Sequence, residues 1–366
     1  MKISLHFKIF SSKKLLFMET RATLQQVARV AGVSASTVSR VLNSSNLIAN
    51  STAEAVRRAA EALKYKPSRR ARASSSSAAS LVAGKQIGFF IIQPRLRHPI
   101  PAYMHLLRGV STGCGKFDLN LHVGFLDSEE NPVQGILQYG LDGLIVHGTP
   151  PVGESAKALY SIPTVWLMGG RARPMWGDQI MPDNGLVGQM AGQYLLRKGH
   201  RNVAYCGFNG SWFMRIRCVS FEQAIEDAGG EVLVLNEPPA GLDATELGHR
   251  LVQKIRSAVN PPTGLFIAED WLLRPIYPVL QAAGIVPGRD LEIISCNNEP
   301  AHLLGLAPIP ATIDIHFERI GQLGVEHLVQ RLQGNSFSDR VRIMIEPSLV
   351  LPGDKQRFAQ MLAAHD

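Results

Sequence analysis

No stretch of this 366-residue chain approaches the roughly 18 uncharged apolar residues that a membrane-spanning helix requires. Cysteine is scarce. Cys114, Cys206, Cys218 and Cys296 lie far apart, without CxxC or any metal-ligand spacing, a usage that fits reduced thiols in a cytosolic core rather than a disulfide framework. His105, His122, His147 and His200 form no HExxH pair, and no metal is expected. Glycine is abundant, yet no GxGxxG follows the first apolar run and no GxxxxGK[ST] occurs, which argues against a dinucleotide or nucleotide-phosphate loop. A hydrolase elbow is not expected either, and no cofactor is implied.

Acidic residues are few at one end only. Residues 1–86 hold 15 Lys/Arg against 3 Asp/Glu, whereas the rest of the chain holds 23 against 27. All the excess of the net charge of +8 therefore sits in the N-terminal quarter, the pattern of a head for a polyanion joined to a body with another task. The opening stretch "MKISLHFKIFSSKKLLFMET" mixes lysines with single apolar residues and lacks the continuous apolar centre of a secretory signal. It reads as a disordered extension over 1–20, or as upstream sequence with Met18 as the true start.

The head has a geometry. Leu24, Val27, Ala28 and Ala31 follow the i, i+3, i+4, i+7 stripe of a helix, with Thr23 and Gln26 as a capping box. Gly32 can end that helix in the left-handed conformation, and Ser34 can cap a second one whose Val38, Val41 and Leu42 turn inward. Ser51 with Glu54 predicts a third helix carrying Val56, Ala60 and Leu63. Two helices meeting across so short a turn form a helix-turn-helix, in which the second presents its polar side to DNA. On that side Arg40 can read guanine O6 and N7 with its fork, while serine and threonine hydroxyls suit phosphate oxygens.

"TLQQVARVAGVSASTVSRVLN" and "RRAAEALKYKPSRRAR" resemble the head and hinge approach of the LacI/GalR family of bacterial transcription regulators. The resemblance implies that Ala35, Ser36 and Arg40 occupy base-reading positions. Thr23, Leu24, Ser34, Thr37, Ser39, Asn43, Thr52 and Tyr65 then contact the DNA backbone or orient the recognition helix. In "NLIANST" the family's capping serine is replaced by Ala49, which leaves Asn50 or Ser51 to take the cap. Beyond Tyr65 the family folds a short hinge helix on DNA and wedges a leucine into the minor groove. Here Ser74 falls at the wedge. Either Leu81 supplies it from a longer hinge, or Arg69, Arg70 and Arg72 hold the minor groove alone.

From Ile87 onward short apolar runs alternate with amphipathic stretches: "IGFFII", "LNLHVGF", "LDGLIVHG", "IPTVWLM", "VAYCGF", "EVLVL", "GLFIAE" and "LEIISC". Repeated βα units around parallel sheets buried on both faces account for this pattern, and about 270 residues of it suggest two lobes with a cleft at the strands' carboxyl ends. The family resemblance runs on to about Pro352 and implies a periplasmic-binding-protein-like body that dimerises. The expected fold is thus a small all-α head on a two-lobed α/β body built from two doubly wound parallel sheets. The boundaries read as extension 1–20, head 21–66, linker 67–86 and body 87–358. Lobe 1 takes about 87–182 with 314–335, and lobe 2 takes 183–313 with 336–358.

The effector site is carried over residue by residue. Ala102 and Tyr103 stand in the two aromatic places of the family's first crossover segment, and Arg217 aligns with the arginine that grips the effector's polar groups. The glycine usual three residues later is Ser220. The usual Asn-Asp is Glu269-Asp270, and the usual Asp of the next loop is Asn297, so an acceptor charge has changed walls. Trp271 follows directly and can stack on a sugar ring, while Trp176 and Trp212 suit core positions better. Carboxylate, amide and guanidinium groups around an aromatic favour a polyol or sugar.

The expected protein is a cytoplasmic, homodimeric, DNA-binding transcription regulator, a repressor rather than an enzyme. It would bind a near-palindromic double-stranded operator under control of a sugar-like small molecule. The alternatives are an architectural DNA binder with an unresponsive body, and an enzyme acting on sugars or nucleotides.

Overall fold

Val27 and Ala28 of α1 (Leu24–Ala31) pack with Val56, Ala59 and Ala60 of α2 (Asn50–Ala62), and Val38 and Val41 close the small core between them. The computed structural model describes residues 24–34, 37–38, 41, 50–63, 81–93, 101–169, 176–210, 212–237, 243–334 and 339–353. The chain forms two units, residues 1–77 and 78–366. In the first, Gly32 ends α1 at φ +68°, a left-handed conformation open to glycine at no steric cost. The amide of Val33 then reaches back to the Ala28 carbonyl at 3.0 Å. Ser34 Oγ accepts from the Thr37 amide at 3.1 Å, so the second helical turn starts where the capping pattern puts it. The third helix already includes Asn50, which places Ser51 inside its first turn rather than ahead of it as the capping-box reading had it.

The second unit holds two six-stranded sheets. In the first, β1 (Gln86–Gln93) lies between β2 (Asn120–Asp127) and β3 (Gly143–Gly148), followed by β4 (Thr164–Leu167), β5 (Asp178–Pro182) and β11 (Arg342–Ile345), all parallel. The second repeats the plan: β6 (Asn202–Phe208) lies between β7 (Glu231–Glu237) and β8 (Gly264–Ile267), then come β9 (Glu292–Cys296), β10 (Ala311–Asp314) and the antiparallel β12 (Ser348–Val350). Strand order reverses between β1 and β3 and again between β6 and β8, and such switch points open a crevice at the carboxyl ends.

Most strands are apolar because helices cover both faces. The edge strands β2, β7, β11 and β12 depart from this, and β2 has one face open where a doubly buried strand was expected. The lobe boundaries also differ from expectation. Arg342–Ile345 pairs with β5 in the first sheet, whereas residues 336–358 had been assigned wholly to the second lobe. Val82, assigned to the linker, is fully buried in the body's core. A GxSxG spacing does occur, at Gly109–Gly113. It lies within helix α3 (Pro101–Lys116) and not on a strand-to-helix turn, so it forms no nucleophile elbow.

The lobes are joined by three passes of the chain: after β5, after β10 and between β11 and β12. These passes are stitched together, with the Asp183 amide donating to the Ile345 carbonyl at 2.9 Å and Ser348 Oγ lying 3.2 Å from His316 Nε2. Asp178 locks the base of the first lobe. Its carboxylate accepts from Arg331 Nε and Nη2 at 2.6 and 2.8 Å and from the Val341 amide at 2.7 Å, and His327 Nε2 lies 2.8 Å away. No helix among the described residues is long and apolar enough to cross a membrane.

Candidate functional site

The carboxyl ends of β1, β3, β6, β8 and β9 converge on one polar cluster. Its centre is Arg217, on α6 (Trp212–Glu226), fully buried in the second lobe. Nε donates to Asn184 Oδ1 at 3.0 Å, and Nη1 donates to the Ala268 carbonyl at 2.7 Å and to Asn297 Oδ1 at 3.4 Å. The guanidinium also lies 5.2 Å from the centre of the Phe213 ring. Nη2 is buried without a partner.

Arg217 can come this close because the helix beneath it has no side chain in the way. A Cβ on Gly188, in α5 (Asn184–Arg197), would stand 2.3 Å from the Arg217 carbonyl and 2.9 Å from Ser220 Cβ. Ser220, where the family has glycine, therefore fits against a glycine on the facing helix.

Glu269 and Asn297 face each other at the ends of β8 and β9. Asn297 Nδ2 donates to Glu269 Oε1 at 3.4 Å, and Trp271 Nε1 donates to Oε2 at 2.7 Å. Asn297 has φ +112°, and holds that strained conformation with its amide donating to the Ile313 carbonyl at 2.8 Å. The Trp271 ring stacks on Phe208 with centroids 5.9 Å apart and planes 15° apart, so one face is already covered. Asp270 turns inward instead. It accepts from Ser295 Oγ, from Thr312 Oγ1 at 3.0 Å and from the Glu299 amide at 2.7 Å, fastening the loops after β8 and β9 to each other.

The first lobe contributes Tyr103 and Ala102 from the first turn of α3, with Gln93 and His147 beside them. Gln93 Nε2 donates to the Tyr103 hydroxyl, and the Tyr103 and His147 rings lie 5.1 Å apart. Burial pushes the Tyr103 hydroxyl up to about 12, against the Gln93 hydrogen bond and with help from the Glu269 charge across the cleft. Burial lowers the His147 imidazole, whose Nδ1 lies 3.1 Å from the Leu167 carbonyl and so carries the proton.

All six residues read as effector contacts thus join one cluster: Ala102, Tyr103, Arg217, Glu269, Trp271 and Asn297. Sequence reading missed Asn184, Phe208, Phe213 and Glu299. Asn184 opens a helix two residues after the end of β5, with only Asp183 between them. Glu299 was visible only as the charge in "SCNNEP". Its carboxyl group is 1% exposed, and neither oxygen meets hydrogen-bond geometry. Burial raises it to about 8, helped by Asp270 and Glu269 and opposed by the nearby Asn297 side chain and Ala102 amide. Trp176 donates from Nε1 to Thr164 Oγ1 and packs edge-on to Trp166, a structural place in the first lobe.

Of the DNA-contact positions, Ser34 and Thr37 form the cap described above, and Thr52 lies in the first turn of α2. Leu24 opens α1, with its side chain outside the described residues. Thr23, Ala35, Ser36, Ser39, Arg40, Asn43, Tyr65, Arg69, Arg70 and Arg72 also lie outside them.

Residues 23–68 match the family model of bacterial regulatory proteins of the lacI family, and residues 193–351 match that of periplasmic binding protein-like domains. The chain thus joins a lacI-family DNA-binding head to a periplasmic-binding-protein-like body. The ribose operon repressor of Escherichia coli strain K12 is 26% identical to this chain over 344 residues, covering 91% of the chain and 99% of the repressor. Two solved structures share its fold. The lac repressor dimer bound to operator and the anti-inducer ONPF has a TM-score of 0.62 at 21% identity, covering 90% of this chain and 98% of that one. A complex of the transcriptional regulator CelR with cellobiose has a TM-score of 0.61 at 21% identity, covering 90% and 99%.

Proposed function

We propose that this chain is a homodimeric transcriptional repressor whose affinity for a near-palindromic operator is set by a small molecule held between the lobes of its body. The observation that carries this reading is the polar cluster at the two switch points. Arg217, Glu269 and Asn297 from one lobe meet Tyr103 and Ala102 from the other, so a ligand touching both walls favours one lobe arrangement over another. The three stitched passes between the lobes give that shift a route to the rest of the body. Arg40 is assigned to base reading, and Thr23, Thr37, Ser39, Asn43 and Tyr65 to phosphate contact or helix orientation. Arg69, Arg70 and Arg72 are assigned to the minor groove. The cleft is read as a binding site and not a catalytic one, in line with the repressor relative. A sugar-like effector is supported by the amide, carboxylate and guanidinium groups around the Phe208–Trp271 stack, and by the ribose and cellobiose in the names of similar proteins.

The test is selection of duplexes from a random library by the full chain, followed by competition with sugars. Two half-sites related by a two-fold axis about one helical turn apart are expected, with affinity changed by at least one sugar. Enriched duplexes without two-fold symmetry would overturn the dimeric operator reading, and indifference to every small molecule would leave an architectural binder.

A further inference from the structure

We propose that the effector carries an ammonium group on a hydroxyl-bearing frame, with Glu299 and Glu269 receiving the ammonium and Arg217 Nη2 donating to one of its oxygens. This rests on the cleft being the effector site. Three carboxylates surround the cluster and differ in how far they are satisfied. Asp270 is tied to Ser295, Thr312 and the Glu299 amide. Glu269 accepts one bond from Trp271 and a long one from Asn297. Glu299 is the exception: both oxygens are buried, and although the Asn297 side chain and the Ala102 amide lie near, neither oxygen meets hydrogen-bond geometry. Among the described residues no lysine, arginine or histidine forms an ion pair with Glu269 or Glu299.

Arg217, the one guanidinium of the cluster among the described residues, does not answer them. Arg217 directs its bonds to two side-chain amides and a carbonyl, with Asn297 between it and Glu269. An uncompensated buried charge is costly, and a buried donor without an acceptor likewise. The site therefore asks for positive charge with several donors on one side and an acceptor oxygen on the other. A neutral polyol can donate to a carboxylate but leaves the Glu269 charge uncompensated and gives Glu299 no reason to ionise. An ammonium group brings three donors and one charge, and hydroxyl or ring oxygens of the same molecule meet Arg217 Nη2. The Phe208–Trp271 stack offers an apolar wall to the carbon frame.

Protons provide an independent reading of the same geometry. Facing Glu299 are Asp270 and Glu269 from the loop after β8, Asn297 from the loop after β9 and the Ala102 amide from α3, with Tyr103 and His147 farther along the first lobe. A carboxyl group held up to about 8 carries its proton near neutrality. A cationic ligand favours the ionised form, so its binding expels that proton and strengthens as pH rises. A neutral ligand that accepts a hydrogen bond from the protonated acid shows the opposite slope.

The experiment uses the full chain and matched probes: glucosamine, glucose and glucuronate; galactosamine and galactose; glucamine and sorbitol. Thermal unfolding should shift upward with an amine and not with its neutral or acidic counterpart. Calorimetry of that amine between about pH 6 and pH 7, in buffers of different ionisation enthalpy, should show proton release and affinity rising with pH. Glu299→Gln should weaken it at least about tenfold and abolish the release. Glu269→Gln, read the same way for affinity, covers the case in which the first variant does not fold. Stabilisation by neutral or acidic members alone overturns the ammonium proposal and leaves the effector reading standing. Amine binding without proton release, or untouched by both variants, overturns it as well, as when Arg95 or Arg97, outside the described residues, supplies the counter-charge. No stabilisation by any probe counts against both.

Discussion

Arg217 Nε donates to Asn184 Oδ1 at 3.0 Å, and Asn184 follows the first pass of the chain between the lobes by a single residue, Asp183. The guanidinium at the centre of the cluster is thereby fastened to a joint of the body. Asp183 reinforces the joint by accepting from the Leu186 amide at 3.0 Å and donating its own to Ile345 at 2.9 Å. On the proposed function, a ligand that repositions Arg217 acts on one of the three passes between the lobes.

Asn184→Ala should uncouple the two. It leaves Nε buried without its acceptor, a loss of about 1–3 kcal/mol, so effector affinity should fall at least several-fold. Arg217→Ala should abolish effector response altogether. Titration of operator release against ligand measures both, with operator affinity in the absence of ligand as the control. An unchanged midpoint in Arg217→Ala would remove this residue from the effector site.

DNA binding should weaken steeply with salt, with a log-log slope of roughly 0.9 per phosphate neutralised. Arg40→Ala should cost about 1–3 kcal/mol at one base pair and relax the preference there. Footprint titrations on single-base operator variants distinguish this from phosphate contact, which would give an equal loss on every sequence.

Asp178 predicts the acid limit of the body. Burial opposes its ionisation, but hydrogen bonds from Arg331, the Val341 amide and His327, with the Arg331 charge, outweigh burial and hold the carboxyl below its usual range. A depressed carboxylate contributes stability that is complete above the unfolded value of about 3.9 and is lost as pH falls through the folded value. Thermal melts should therefore be insensitive to this group near neutrality and drop below about pH 4. Asp178→Ala leaves Arg331 with a buried face and no partner there, and should lower stability by about 3–5 kcal/mol at neutral pH. A neutral-pH melt close to that of the parent would show that the Arg331 and His327 contacts contribute little.

β1, β3, β4, β6, β8 and β9 were legible because burial on both faces writes them as continuous runs such as "IGFFII" and "LEIISC", and the edge strands β2 and β7 because enough of their residues are apolar. β5, β10, β11 and β12 were not among the runs recognised. "DQIMP" carries the charged Asp178 and "RIMI" alternates at an edge, so neither stands out as a short apolar block. The lobe assignment of β11 failed for a related reason: a four-residue strand that crosses back to the first sheet leaves no sign of which sheet it joins. Arg217, Glu269 and Asn297 were legible through family positions. Asn184 and Glu299 were not, because their roles come from which neighbours they meet or fail to meet after folding.

Gly188 makes the last test, because it decides how near the helix of Arg217 can lie. A Cβ there would stand 2.3 Å from the Arg217 carbonyl, 2.8 Å from the Phe221 amide nitrogen and 2.9 Å from Ser220 Cβ. Two of the three contacts are with backbone, which cannot rotate away, so Gly188→Ala must push α5 and α6 apart. Overpacking of this kind costs about 1–3 kcal/mol, and the shift should also carry Arg217 off Asn184 and weaken effector response. Adding Ser220→Gly removes only the longest of the three contacts, so the double variant should recover little of the loss. Full recovery of the melting temperature in the double variant would mean that side-chain bulk, and not backbone approach, sets the spacing of these helices.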